Sequence, residues 1–202
     1  MLLIDITRDI TTAEVYPGDP ETVLEQARTI GDSSDCNLSV LHTCVHTGTH
    51  TDAPLHFIED GKSVEQLPSE AFIGPCTVIE VEEPYITGEY VNECFPQNAE
   101  RILIKGNGEA FFMDSAAEEA AGLPNLRLIG TDAVSVGIHG SQIRPHKAFL
   151  SKDIPILEGL NLAEVEPGNY FLLAMPMKIG GAEGAPVRAV LADEYIFWTK
   201  QR

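Results

Sequence analysis

The sequence predicts a mixed α/β fold in a single domain spanning residues 1–202. Three observations point there. Short apolar runs are punctuated by Gly and Pro, helix start and stop signals fall between them, and 44% hydrophobic content over 202 residues supports one sizeable core. No repeat, low-complexity segment or linker divides the chain.

The runs Leu2–Ile6, Thr77–Val81, Arg101–Ile104, Arg127–Ile129, Ile154–Leu157, Tyr170–Ala174 and Val187–Leu191 read as buried strands. From Cys36 to Thr43, "CNLSVLHT" alternates. It sets Asn37, Ser39 and Leu41 on one face and Leu38, Val40 and His42 on the other, the pattern of a half-buried strand. Helical signals fall on Pro68–Phe72, Gly88–Cys94, Asp114–Ala121 and Arg144–Ser151, with Asp114 placed to cap its helix and Gly122 to stop it. The pattern does not give the strand order.

Thirteen basic against thirty-one acidic side chains give 13 − 31 = −18, a field that repels phosphate backbones and anionic lipid. Nucleic acid and membrane are thereby excluded as partners, and a small-molecule substrate is expected. The opening Met1-Leu2-Leu3-Ile4-Asp5 lacks the basic start of a signal peptide and the length of a membrane span. Cys36, Cys44, Cys76 and Cys94 form no CxxC pair, so reduced thiols and a cytoplasmic location are expected.

The chemistry concentrates in "HTGTHTDAPLHF", His46 to Phe57. His42, His46 and His50 are spaced four apart, as on one face of a helix, but Val45, Thr47, Thr49 and Thr51 are β-branched, Gly48 interrupts them and Pro54 follows. An extended or looping backbone is expected instead. His50 and Asp52 then share a face, and a turn at Gly48 can return His46 beside them, giving two imidazoles and a carboxylate suited to zinc or a similar divalent ion. Pro54 stiffens the chain ahead of His56, which stands close enough to act on a metal-bound water. Spacing alone leaves a metal site and a polar loop both open.

Further donors must come from elsewhere. Pro145 can open a helical turn carrying His146, and Ile154–Leu157 reads as a strand ending at Glu158 beside Gly159. Tyr16, Pro17 and Phe57 are candidates for an apolar wall. Asp132 reads equally as an acceptor for a ligand histidine or as a turn aspartate. "GGAEGAP", Gly180 to Pro186, lacks the Lys-Ser/Thr of a phosphate loop and reads as a turned loop near the site, with Arg188 structural. Cys44 is expected to be a buried free thiol, and His42 and His139 take no role.

On "HTGTHTDAPLHF", His146 with Phe149-Leu150, "IPILEGLNL", "GAEGAPVRAVL", the opening "LLIDIT" and the turn "VYPGDP", nearly the whole chain resembles the metal-dependent hydrolases of the cyclase family, and among them the bacterial-type kynurenine formamidases. The resemblance implies a mixed β-sheet curved toward a barrel with flanking helices. It implies His46, His50 and Asp52 as ligands of one metal, Asp52, His146 and Glu158 as ligands of a second, and His56 as general acid or base. It implies Zn2+, one ion or two, with Mn2+ as the alternative, and a homodimer or higher symmetric oligomer. The expected reaction is hydrolysis of an amide or formamide, with N-formylkynurenine the leading substrate. Tyr16 stands where kynurenine-specific members carry Trp, Gly137 where they carry Asp, and "GNGEAFF" (Gly106 to Phe112) is also unlike them. These departures spare every ligand position and bear on the substrate. Hydrolysis of a cyclic imide such as isatin or of a lactone, a lyase, dehydratase or cyclase reaction at the same site, and metal binding without catalysis therefore stand as alternatives.

Overall fold

The computed structural model describes residues 2–31 and 34–193. In chain order the strands are β1 (Leu2–Asp5), β2 (Val23–Arg28), β3 (Leu38–His42), β4 (His50–Asp52), β5 (Ile73–Glu80), β6 (Tyr85–Ile86), β7 (Arg101–Lys105), β8 (Phe111–Phe112), β9 (Leu128–Thr131), β10 (Ile156–Glu158), β11 (Gly168–Leu173), β12 (Gly184–Pro186) and β13 (Val190–Asp193). The helices are α1 (Gly88–Cys94), α2 (Asp114–Ala121) and α3 (Ile143–Leu150).

Nine strands form one mixed sheet in the order β1-β13-β11-β5-β7-β9-β10-β4-β12. Its centre, β5-β7-β9-β10, is parallel, and each step is made by a crossover carrying one helix, α1, α2 and α3 in turn. β7 shows why both faces must be covered. Its apolar residues alternate, Ile102 and Ile104 packing under the helices with Phe95, Ala117 and Phe149, while Leu103 points to the opposite side with Phe72, Leu157 and Leu172. The sheet curls. Thr7, just past edge strand β1, bridges to Leu160, just past β10, and Pro176 after β11 bridges to Val187 after β12, contacts that a flat sheet of this order could not make. The expected curved α/β architecture is the one observed.

Several local expectations are corrected. The Cys36–Thr43 strand is exposed along the whole of β3 rather than half-buried, because it pairs with β2 in a two-stranded ribbon that stands off the main sheet. The Leu2–Ile6 run is buried only in part: Leu2 and Leu3 are exposed on an edge strand paired on one side, at 63% and 54%, while Ile4 packs against the core and Ile6 is inside it. Pro68–Phe72 makes only a 3-10 turn over Ser69–Ala71. Met113, not Asp114, occupies the N-cap position of α2 and makes no side-chain capping bond; Asp114 is the first helical residue and pairs with Arg144 at 3.0 Å. The last strand begins at Val190, Val187 contributing a single bridge.

Candidate active site

The site is assembled on the helix-facing side of the sheet. β4 pairs antiparallel with β10, placing His50 opposite Glu158 and Asp52 opposite Ile156. Paired residues share a face, and Ile156 packs with the helices, so His50, Asp52 and Glu158 all point toward α3. There the α3 stripe His146, Phe149 and Leu150 is buried against the sheet. Ahead of β4 the chain turns through Gly48 at φ +69°, returning His46 so that its Nδ1 lies 2.9 Å from Asp52 Oδ1. Gly159, at φ +65°, lets β10 leave close by; a Cβ there would sit 2.3 Å from the Gly48 carbonyl oxygen.

Backbone contacts orient the rings. His50 Nδ1 donates to the Gly48 carbonyl at 2.9 Å, and His146 Nδ1 donates to the Gln142 carbonyl at 2.7 Å. A carbonyl can only accept, so each Nδ1 carries hydrogen and each Nε2 is directed inward. His50 Nε2 lies 3.5 Å from both Asp52 Oδ1 and Glu158 Oε2, and His146 Nε2 lies 3.4 Å from Asp52 Oδ2 and 3.2 Å from Glu158 Oε1. Glu158 is itself held by the Val136 N–H at 2.7 Å.

The charges are strongly coupled. Burial disfavours an imidazolium at His50, yet polar contacts with Asp52 and Glu158 and their charge outweigh it and push the pKa up to about 10; His146, by the same contest, also reaches about 10. Burial opposes ionisation of Asp52, but contacts from His146, His46 and His50 hold it well below the usual carboxylate range. At Glu158 burial and the Asp52 charge both act upward, and the contacts from His146 and His50 still bring the pKa down.

This cluster ends a small cavity of about 170 Å³, lined also by Tyr16, Asp19, His56, Phe57, Ser135 and Gln142. His56 stacks 4.1 Å from His46 and 4.3 Å from Phe57, ring centre to ring centre, and Phe57 in turn lies 4.5 Å from His146. Burial lowers the His56 pKa. Burial raises that of Tyr16, with Glu158 and Asp19 adding to it.

All six residues singled out from the sequence, His46, His50, Asp52, His56, His146 and Glu158, thus meet in one place. Asp52 belongs to two donor groups, one with His46 and His56 and one with His50 and Glu158, each with donor atoms within 4.8 Å of one another. Tyr16 and Phe57 both wall the cavity, while Pro17 does not line it. Asp132 turns away from the histidines, accepting the N–H groups of Gly106 and Gly108 at 3.0 and 3.1 Å; it is a loop brace. Cys44 is only half-buried, its thiol donating to Asp19 Oδ2 at 3.6 Å, and Arg188 pairs with Asp5. Sequence reading missed Glu183, whose Oε1 lies 3.6 Å from His46 Nε2, and Asp19, Ser135 and Gln142. Glu183 sits inside the "GGAEGAP" loop and Asp19 inside the "YPGD" turn, where the turn signal hid them.

The donors fit a divalent metal. His46 Nε2 and Asp52 Oδ2 are buried with no well-formed hydrogen bond, their polar neighbours Glu183 Oε1 and His146 Nε2 standing 3.6 and 3.4 Å away, a costly condition that a cation would relieve. The sequence profile of the family described as "Putative cyclase" matches residues 4–137. The kynurenine formamidase of Salinibacter ruber is 38% identical over 208 residues, covering 96% of this chain and 98% of the relative. A solved structure described as a potential metal-dependent hydrolase with cyclase activity superposes with a TM-score of 0.81 at 30% identity, covering 94% of this chain and 96% of the other. Isatin hydrolase A from Labrenzia aggregata superposes equally well, TM-score 0.81 over 94% of this chain and 93% of its own, but at 22% identity that likeness is one of fold alone. By profile, identity and architecture together, this chain belongs to the cyclase family.

Proposed function

We propose that this chain, acting as one domain, is a metal-dependent hydrolase that cleaves the formamide C–N bond of an N-formyl arylamine, with N-formylkynurenine as the leading substrate and formate and the free amine as products. The observation that carries the reading is the convergence of three imidazoles and two carboxylates, with His46 Nε2 and Asp52 Oδ2 lacking a well-formed hydrogen bond, at the end of a cavity walled by Tyr16 and Phe57. The name carried by the Salinibacter ruber relative supports the formamide; the departures at Tyr16 and Gly137 keep a cyclic imide as the second reading.

His46, His50, Asp52, His146 and Glu158 would hold Zn2+, or Mn2+, as one ion or as a pair, with Asp52 common to both donor groups. When bound, the ion supplies a Lewis acid for the carbonyl oxygen and lowers the pKa of water to about 7. Backbone bonds to Nδ1 keep His50 and His146 aimed at the centre without side-chain rearrangement. His56, kept neutral by burial, takes the proton released as water adds to the formyl carbon and returns it to the nitrogen as the C–N bond breaks. Phe57 and Tyr16 offer ring faces to the aryl group.

The test is a panel of N-formylkynurenine, formanilide, isatin and a lactone with zinc- or manganese-loaded protein. Formate release from the first two supports the reading. Turnover of isatin alone moves the assignment to the cyclic imide, and a dehydration product moves it to a lyase. Four unpaired thiols support a cytoplasmic setting. A homodimer is supported by the apolar β2–β3 ribbon and the groove of about 1070 Å³ at its foot, lined by Leu41, Val45, Met175, Met177 and Ile179.

A further inference from the structure

Residues 136–142, the second part of the 132–142 connection from β9 to α3, are fastened to the site at both ends. The first N–H, from Val136, donates to Glu158, and the last carbonyl, from Gln142, accepts from His146. The two ends also touch each other; a Cβ on Gly137 would lie 2.6 Å from Gln142 Cα. The tip, residues 138–141, is exposed, and the Tyr16 hydroxyl reaches it from the opposite rim, 2.8 Å from His139 Nδ1. Tyr16 lines the cavity, so this contact ties the loop tip to a residue of the cavity wall.

Gln142 is the unusual member. It stands at the N-cap of α3, yet its side chain makes no capping bond. It lines the cavity instead, and its Oε1 is buried without a hydrogen-bond partner. An unpaired acceptor there is a liability in the free protein unless something bound supplies a donor. The metal cluster would engage the carbonyl oxygen and His56 protonates the nitrogen through its lone pair, so the donor left over on a secondary amide is its N–H.

We propose that residues 136–142 form a substrate-recognition loop in which Gln142 Oε1 accepts the N–H of the bound amide and the Tyr16–His139 contact fixes the loop against the cavity wall. Gln142 is then a specificity-determining residue and Tyr16 and His139 are positioning residues. The substrate class is an amide bearing one N–H; esters and N,N-disubstituted amides are selected against, because they leave Oε1 buried and unpaired. The inference rests on the aryl-formamide reading for its choice of substrate.

The experiment compares formanilide with phenyl formate, which replaces N–H by oxygen, in wild-type protein and in Gln142→Leu. The ratio of kcat/KM for the two should fall about tenfold in Gln142→Leu, the worth of one strong neutral hydrogen bond. The variant should melt no lower than wild type, since it removes an unsatisfied buried acceptor. An unchanged ratio overturns the assignment. A lower Tm with both substrates weakened equally also overturns it, because Gln142 would then be structural. Formanilide affinity of the metal-free protein, measured by calorimetry, is read alongside. If wild type hydrolyses only isatin, the aryl-formamide reading fails, and this binding arm alone decides: about tenfold weaker binding in Gln142→Leu supports the loop, equal binding overturns it. For the clasp, Tyr16→Phe and His139→Ala should each speed amide exchange at 138–141 about fivefold, and the double variant no further. Additive effects, or none, remove the clasp.

Discussion

Two short antiparallel strand pairs in this molecule are built in opposite senses. In the β4–β10 pair, His50, Asp52 and Glu158 are buried, at 2%, 0% and 4% exposure. In the β2–β3 pair, Val23, Leu24, Val40 and Leu41 stand in solvent at 53%, 59%, 40% and 44%. Ordinary sorting would place the second set inside and the first outside. Each inversion leaves an unmet demand: buried charge calls for a counter-ion, and a two-stranded ribbon exposed on both faces calls for a surface to lie on. The proposed metal site and the proposed dimer contact both sit where the hydrophobic pattern is broken.

The buried pair breaks most completely at Asp52, the group shared by both donor sets. Asp52→Ala should abolish metal binding and reduce activity to background, with elemental analysis and formate release as the measurements. Metal retained at wild-type stoichiometry would disprove its central role. His56→Ala sharpens the same region. It should lose about 100- to 10,000-fold in kcat, the span of general acid–base catalysis, and keep its metal. Full turnover would take His56 out of the proton path, and loss of the ion would make it a ligand.

How far this was legible follows the same division. His46, His50, Asp52 and His56 lie within eleven residues, and β-branching with Gly48 and Pro54 excluded a helix, so the first half of the site could be read locally. Joining His146 and Glu158 to it required the register of β10 against β4 and the packing of α3, which are long-range facts that resemblance supplied and spacing did not. The ribbon was misread because alternation reports that a strand has two different faces, not that either is covered. Glu183 and Gln142 escaped because neither belongs to a pattern: one sits within a glycine-rich turn, and the other opens a helix without capping it.

The next effect concerns protons. In the metal-free protein the carboxylates hold His50 and His146 charged, with pKa values pushed up to about 10 from an ordinary 6.5. Because the folded values lie above the unfolded one, the stabilisation is fully present below 6.5 and is lost as pH rises through about 10. A metal needs the neutral rings, so it must displace these protons, and each one displaced makes metal affinity rise about tenfold per pH unit within that window. Titration calorimetry in buffers of different ionisation enthalpy should therefore show protons released on zinc binding. A buffer-independent enthalpy would mean the rings are already neutral.

The ribbon carries the smallest effect on the chain itself and a large one on assembly. Leu24 and Val40 touch little within the protomer, and substitutions at such exposed sites usually change stability by less than about 0.5 kcal/mol. Leu24→Lys with Val40→Lys should therefore leave thermal unfolding of the monomer nearly unchanged while placing two cations where a second copy would dock. If the ribbon is the dimer contact, light scattering should shift from twice the 22.0 kDa chain mass to that mass alone. An unchanged particle mass would take the contact away from the ribbon. A monomeric wild type would leave the exposed leucines and valines without a second copy to cover them, and the symmetry between the two inversions would fail on this side only.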